Sequence, residues 1–223
     1  MVNRLLQQYR RHGVKLTSLL DALIARSISD VMLPSGYGSL TSGIDIDLQK
    51  LIEVAPDSMG VHASIVTRQH ILPVSNLTAR AHETTQILVK ASSTLHDQLQ
   101  GLLRYVSSMR NWHLGKIGKQ RSESYEISNL MAFVPPIEKH GVHIDSVFFA
   151  QPANVTGPAL TFKIVSLGGG DLHIAVTWQI GALGIEPDGE KHGMTVEEPE
   201  EVSVAQICDS LQRHLHSYLQ SSS

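Results

Sequence analysis

The order of apolar patterns along the chain predicts an α+β fold, a mixed, largely antiparallel sheet covered by helices. Three features carry the prediction. Helical spacing dominates the first half of the chain, strand-like alternation dominates the second, and a glycine-rich turn joins the last two extended segments.

Val2, Leu5, Leu6 and Tyr9 recur at helical spacing, and Gly13 can take the left-handed conformation that ends a helix. A short first helix follows from that. Thr17 is the expected N-cap of a second helix, whose stripe of Leu20, Leu23, Ile24, Ile28 and Val31 runs out at Pro34 and Gly36. Ile44, Ile46 and Leu48 alternate with Asp45 and Asp47, so a strand with one wet face is expected there. A further extended stretch covers residues 61–66.

From residue 75 to 109 the spacing is helical again, through Leu77, Ala81, Leu88, Leu95 and Leu102. The run is too long for one ordinary helix, which places a break at Ser92 and Ser93. Residues 109–122, with Lys116, Lys119 and Arg121, read as a solvated basic loop. Strands are expected at 125–133, 142–151, 159–167 and 172–178. The last two flank Gly168-Gly169-Gly170-Asp171, a hairpin turn, and Leu172, Ile174, Val176 and Trp178 share one face. Residues 181–201 read as a solvated excursion. In the last helix Val204, Ile207, Cys208, Leu211, Leu215 and Tyr218 point inward. Residues 1–220 form a single lobe and 221–223 a tail.

The chain has 223 residues, 42% hydrophobic and 17% charged, enough for one domain or one lobe of a larger one. A net charge of −3 supplies no field to draw nucleic acid or an anionic membrane surface. The single cysteine, Cys208, has no intrachain partner and reads as a small buried hydrophobe in a reducing compartment. The first residues hold no apolar run suited to a signal peptide or a membrane span. A cytoplasmic location is the expectation.

Common catalytic motifs are missing. There is no Gly-x-Ser-x-Gly elbow, no Walker loop and no Gly-x-Gly-x-x-Gly; Gly36-Tyr37-Gly38 follows a helix and reads as a turn. His214 and His216 stand two apart on a helix, a poor chelating spacing, and read as surface histidines. No metal site is expected. Glu197, Glu198, Glu200 and Glu201 precede the last helix, where negative charge suits its dipole.

Several segments together carry a resemblance. They are Gly13-Val14-Lys15-Leu16-Thr17-Ser18-Leu19-Leu20, Ile44-Asp45-Ile46-Asp47-Leu48, Ser128-Asn129-Leu130, Phe148-Phe149-Ala150-Gln151-Pro152, Gly169-Gly170-Asp171-Leu172 and Val176-Thr177-Trp178-Gln179. In this order they resemble the C-terminal half of the fungal alcohol acetyltransferases, within the condensation-domain and chloramphenicol-acetyltransferase-like superfamily of CoA-dependent acyltransferases. The resemblance implies one of two lobes around a tunnel that acyl-CoA and the acceptor alcohol enter from opposite faces.

The family's base is the His of a His-x-x-x-Asp motif, and none of the twelve histidines here has an Asp four residues on. His140 and His143 miss Asp145 by spacing. The plant branch's Asp-Phe-Gly-Trp-Gly is absent, with Gly181-Ala182-Leu183-Gly184 its nearest analogue, and Gln49 stands where the family has an arginine. A hydroxyl attacking a thioester needs a base for its proton and donors for the oxyanion. The resemblance therefore implies a truncated or split acyltransferase of secondary metabolism that depends on a His-bearing lobe. Ser128, Asn129 and Gln151 are the candidate substrate-binding residues, with buried-backbone satisfaction as their plainer role. Acyl-CoA is the expected co-substrate, with no bound cofactor. A second copy or a separate N-terminal lobe is the expected partner. Reuse of the fold to shape a ligand for other chemistry, and a non-catalytic binding module, are the alternatives.

Overall fold

Helix α1 (Leu16–Met32) lies in the middle of the molecule, and its sequence is apolar on more than one side for that reason. Leu19, Leu20, Leu23 and Ile24 are fully buried between the sheet, α2 (Leu77–Ala91) and α4 (Pro199–Gln220). The structure is a computed structural model that describes residues 13–32, 38–55, 58–94, 98–134, 141, 143–168, 170–183 and 199–220. The expected first helix, the stop at Pro34 and Gly36, most of the 181–201 excursion and the tail lie outside those residues.

The sheet has five strands: β1 (Ser39–Asp47), β2 (Ala63–Ile71), β3 (Tyr125–Phe133), β4 (Leu160–Leu167) and β5 (Leu172–Trp178), in the order β2-β1-β3-β4-β5. The outer pairs, β1 with β2 and β4 with β5, are antiparallel, and the inner pairs, β1 with β3 and β3 with β4, are parallel. The expected mixed sheet covered by helices is present. Its parallel centre depends on long connections: β3 runs with β1 after the long segment that follows β2, and residues 134–159 bring the chain back to start β4 in the direction of β3.

Period-two alternation sorts the strands into two faces. Tyr125, Ile127, Phe162 and Ile164 are buried against α1 and α4, joined by the expected Leu172, Ile174, Val176 and Trp178. From α4 come Val204, Ile207, Leu211 and Leu215, with Cys208 and Tyr218 partly buried beside them. A smaller cluster joins Ile44, Ile46 and Leu48 to Leu88 of α2. The other face of the sheet carries Asp45, Glu126, Ser128 and Lys163.

Helix α2 ends where expected, with Ser92 as its C-cap, and a 3-10 helix (Leu99–Tyr105) follows. Four expectations are corrected. Thr17 lies inside the first turn of α1, so it is not the cap; its hydroxyl accepts a hydrogen bond from Asn129 Nδ2 at 3.1 Å. The basic loop holds a short helix, α3 (Met109–Leu114), because Ser108 caps it by accepting from the Asn111 amide at 3.3 Å. Residues 143–150 form no strand: β1 and β4 already occupy both edges of β3, and Phe148 is left 75% exposed. His214 is half-buried, its Nε2 2.7 Å from Asp30 Oδ2, and so ties α4 to α1.

Candidate functional site

On the open face of the sheet, register fixes which side chains meet. Gly43 of β1 pairs with Glu126 of β3, and Ser128 of β3 pairs with Lys163 of β4. Asp45, two residues beyond Gly43, therefore joins Glu126, Ser128 and Lys163 in one polar row across three strands. Lys163 Nζ forms an ion pair with Glu126 Oε1 and is almost wholly shielded from solvent. A lysine so placed needs its carboxylate, since an unpaired buried charge is very costly. Burial pushes the Asp45 carboxyl up and the Glu126 charge pushes it further, while the Ser128 hydrogen bond and the Lys163 charge work against them; the net is above the usual aspartate range. A perturbed acid beside a buried cation and a hydroxyl can exchange a proton and hold a polar group.

This row borders a cleft of about 460 Å³. Gly43, Thr67 and Glu126 form part of its floor; Val106, which caps the 3-10 helix, Trp112 of α3 and Lys116, just past the end of α3, also line it. Lys116 Nζ sits 3.6 Å from the centre of the Trp112 ring. His113 also lines this cleft, with Nδ1 3.0 Å from Thr156 Oγ1, and borders a second, open cleft of about 610 Å³ beyond α3.

The candidate residues divide among these places. Ser128 belongs to the open-face row. Asn129, next in β3, points to the opposite face, where Nδ2 donates to Thr17 and Oδ1 accepts from the Met131 amide at 2.8 Å. That second bond pins a bulge at which Met131 has φ 62° and Leu130 and Met131 turn outward. Gln151 is exposed in the second cleft with Arg110 and His113. The structure thus does not bring all of them together.

Two features escaped the sequence reading. Arg121, expected in a solvated loop, donates to the carbonyls of Asn154 and Gly157 and to Gln179 Oε1 at 2.6 Å, clamping the 154–158 segment to the end of β5. Between α1 and the sheet lies a fully buried polar cluster. Asp21 accepts from Tyr125 at 2.8 Å and Thr84 at 3.0 Å, and His70 Nε2 lies 3.2 Å from Asp21 and 3.3 Å from Ser42 Oγ. Burial alone pushes the Asp21 carboxyl up, but the His70 hydrogen bond and charge, with Tyr125 and Ser42, bring it below the usual range.

Ser42, His70 and Asp21 are not a nucleophilic triad. Serine and aspartate meet the same ring nitrogen, Nδ1 has no hydrogen-bond partner among the described residues, and all of these side chains are buried. The cluster holds the helix layer on the sheet. Among the described residues no group of three or more His, Cys, Asp or Glu side chains is arranged to hold a metal, and no helix is long and apolar enough to cross a membrane.

No protein-family model matches the chain. Over 88 residues it is 36% identical to the probable alcohol acetyltransferase FCK4 of Fusarium pseudograminearum (strain CS3096), a match that covers 40% of this chain and 18% of that protein. Among solved structures it is similar to the epimerization domain from the third module of tyrocidine synthetase B, with TM-score 0.57 and 12% identity, over 99% of this chain and 46% of that one. PapA2 acyl transferase gives TM-score 0.53 and 8% identity, over 97% and 42%. A structure titled for condensation domain-mediated chain release from the enacyloxin polyketide synthase gives TM-score 0.54 and 14% identity, over 95% and 38%. The chain spans less than half the length of each of these proteins. The chain has the condensation-domain acyltransferase fold, and its sequence resembles the fungal alcohol acetyltransferases.

Proposed function

We propose that this chain works in acyl transfer from an acyl-CoA to the hydroxyl of an alcohol, as the C-terminal lobe that lines the substrate site while a separate lobe carries the histidine base. The observation that carries the reading is the combination of a likeness in sequence to an alcohol acetyltransferase with a condensation fold that accounts for 95–99% of this chain but only 38–46% of longer proteins. The chain's own residues have a supporting part in the chemistry. Ser128 offers a hydroxyl to substrate, with the Asp45 carboxyl beside it and the Lys163–Glu126 pair behind. Asn129 sets the strand that presents Ser128, and Gln151 contacts substrate from the second cleft.

The partner, a His-bearing lobe or a second copy of this chain, covers the apolar groups at the end of β3. There Leu130, Met131 and Val134 are 60%, 68% and 76% exposed, an arrangement that marks interfaces. A role in secondary metabolism and a cytoplasmic location belong to the same reading. The test is thiol release from acetyl-CoA by the purified chain with a panel of primary alcohols. No turnover above the enzyme-free rate is expected, since no histidine stands in the required motif. Turnover well above that rate would overturn the division of labour and point to a base within this chain, with His113 the first to replace.

A further inference from the structure

The cleft between α3 and the open sheet face has a charge pattern of its own. Carboxylates gather on its sheet side: Glu126 on the floor, Glu123 beside it and Asp45 one step along the row. Lys163 pairs with Glu126, which leaves Glu123, its Oε2 accepting from Ser122 Oγ, as the lining carboxylate with no ion pair among the described residues. Opposite stand Leu102, Val106 and the indole of Trp112. Gly43 keeps the floor open, because a Cβ there would come within 3.2 Å of both Glu123 Cγ and Ile65 Cγ2.

The chain's own ammonium already occupies the aromatic wall: Lys116 Nζ lies over the Trp112 ring and lines the same cleft. An aromatic face and a carboxylate without an ion pair in one cleft suit a molecule with an apolar body and an ammonium, and the Lys116 head marks where a cationic side chain already lies. We propose that this cleft takes an ammonium-bearing molecule with an apolar body and a free hydroxyl, an amino alcohol. Its ammonium faces Glu123, its apolar body packs on Trp112 and Val106 in the place of the Lys116 head, and its hydroxyl reaches His113 and Thr156. Calling this molecule the acyl acceptor rests on the acyl-transfer reading, whereas its binding does not.

The test is calorimetric titration of the full chain at neutral pH with phenylalaninol, whose amine is protonated, and with its neutral counterpart 3-phenylpropan-1-ol. Phenylalaninol is expected to bind at least about tenfold more tightly, the size of one hydrogen bond to a charged group. Glu123→Gln should remove most of that preference, and Trp112→Ala should weaken both ligands. Lys116→Met should tighten phenylalaninol binding several-fold by vacating the ring. Equal affinity for the two ligands, no saturable binding of either, or weaker phenylalaninol binding in Lys116→Met would overturn the proposal. Selective binding of phenylalaninol that is never followed by acetylation supports the proposal and counts against the acyl-transfer reading alone.

Discussion

Removal of the Asp21 carboxylate is the sharpest probe of what holds α1 on the sheet. Its side chain is completely buried and accepts hydrogen bonds from Tyr125 at 2.8 Å, Thr84 at 3.0 Å and His70 at 3.2 Å. Asp21→Ala leaves three buried donors without their acceptor, each worth about 1–3 kcal/mol when orphaned. Relaxation around the site limits the sum, and breaking a buried pair typically costs about 3–5 kcal/mol. Set against a total stability of about 5–15 kcal/mol for a domain, that loss should bring the variant close to unfolding. Urea titration followed by circular dichroism measures it. The pH dependence supplies a second check. Asp21 is held below its ordinary value of 3.8, so its contribution is present above that value and is lost as pH falls below it. The gap between Asp21→Ala and the parent chain should narrow there. A loss under about 1 kcal/mol at neutral pH, with an unchanged denaturant slope, would refute the account of the cluster as a structural clamp.

Other substitutions give outcomes of different sign. Asp45 is held above its ordinary value, so its ionisation opposes folding as pH rises through 3.8 toward the folded value. Asp45→Asn should therefore raise the melting temperature at neutral pH, and the gain should vanish in acid; a lower melting temperature at pH 7 would show that the carboxylate is needed for structure. Arg121→Lys cannot reproduce a fork that reaches three acceptors at once. It should cost about 2 kcal/mol in urea unfolding, and an unchanged midpoint would mean that the clamp on residues 154–158 carries no weight. Phe162→Ala, at a fully buried β4 position beside Tyr125, should cost about 3–5 kcal/mol by the same measurement. A loss below about 1 kcal/mol would mean that the core collapses readily around the missing ring.

Local pattern reached most of the elements and little of the site. The stripes of α1 and α4, the break at Ser92 and the β4–β5 hairpin depend on spacing within one segment, and each stands where spacing puts it. The parallel centre of the sheet pairs strands far apart in the chain, which no local period records. The Asp21 cluster was hidden for the same reason, because its partners His70 and Tyr125 lie 49 and 104 positions away. One signal was available: a carboxylate at position 21, between Leu20 and Ala22 in a helix apolar on several sides, must find donors or be very costly. Ser128 and Asn129 were legible as polar residues in a strand, but alternation sends neighbours to opposite faces, and only the register showed Ser128 beside Asp45 and Lys163. Residues 143–151 looked strand-like by composition, and the pairing of β3 with β1 and β4 left them no place beside it.

Titration of acetyl-CoA onto the purified chain tests the acyl-transfer reading most directly, with Ser128→Ala and Asn129→Ala beside it. The account predicts saturable binding that Ser128→Ala weakens about fivefold, the size of one neutral hydrogen bond of about 1 kcal/mol, at an unchanged melting temperature. Asn129→Ala, which loses its bonds to Thr17 and to the β3 bulge, should mainly lower the melting temperature. No detectable binding at millimolar acetyl-CoA, or binding that Ser128→Ala leaves unchanged while the melting temperature falls, would contradict it.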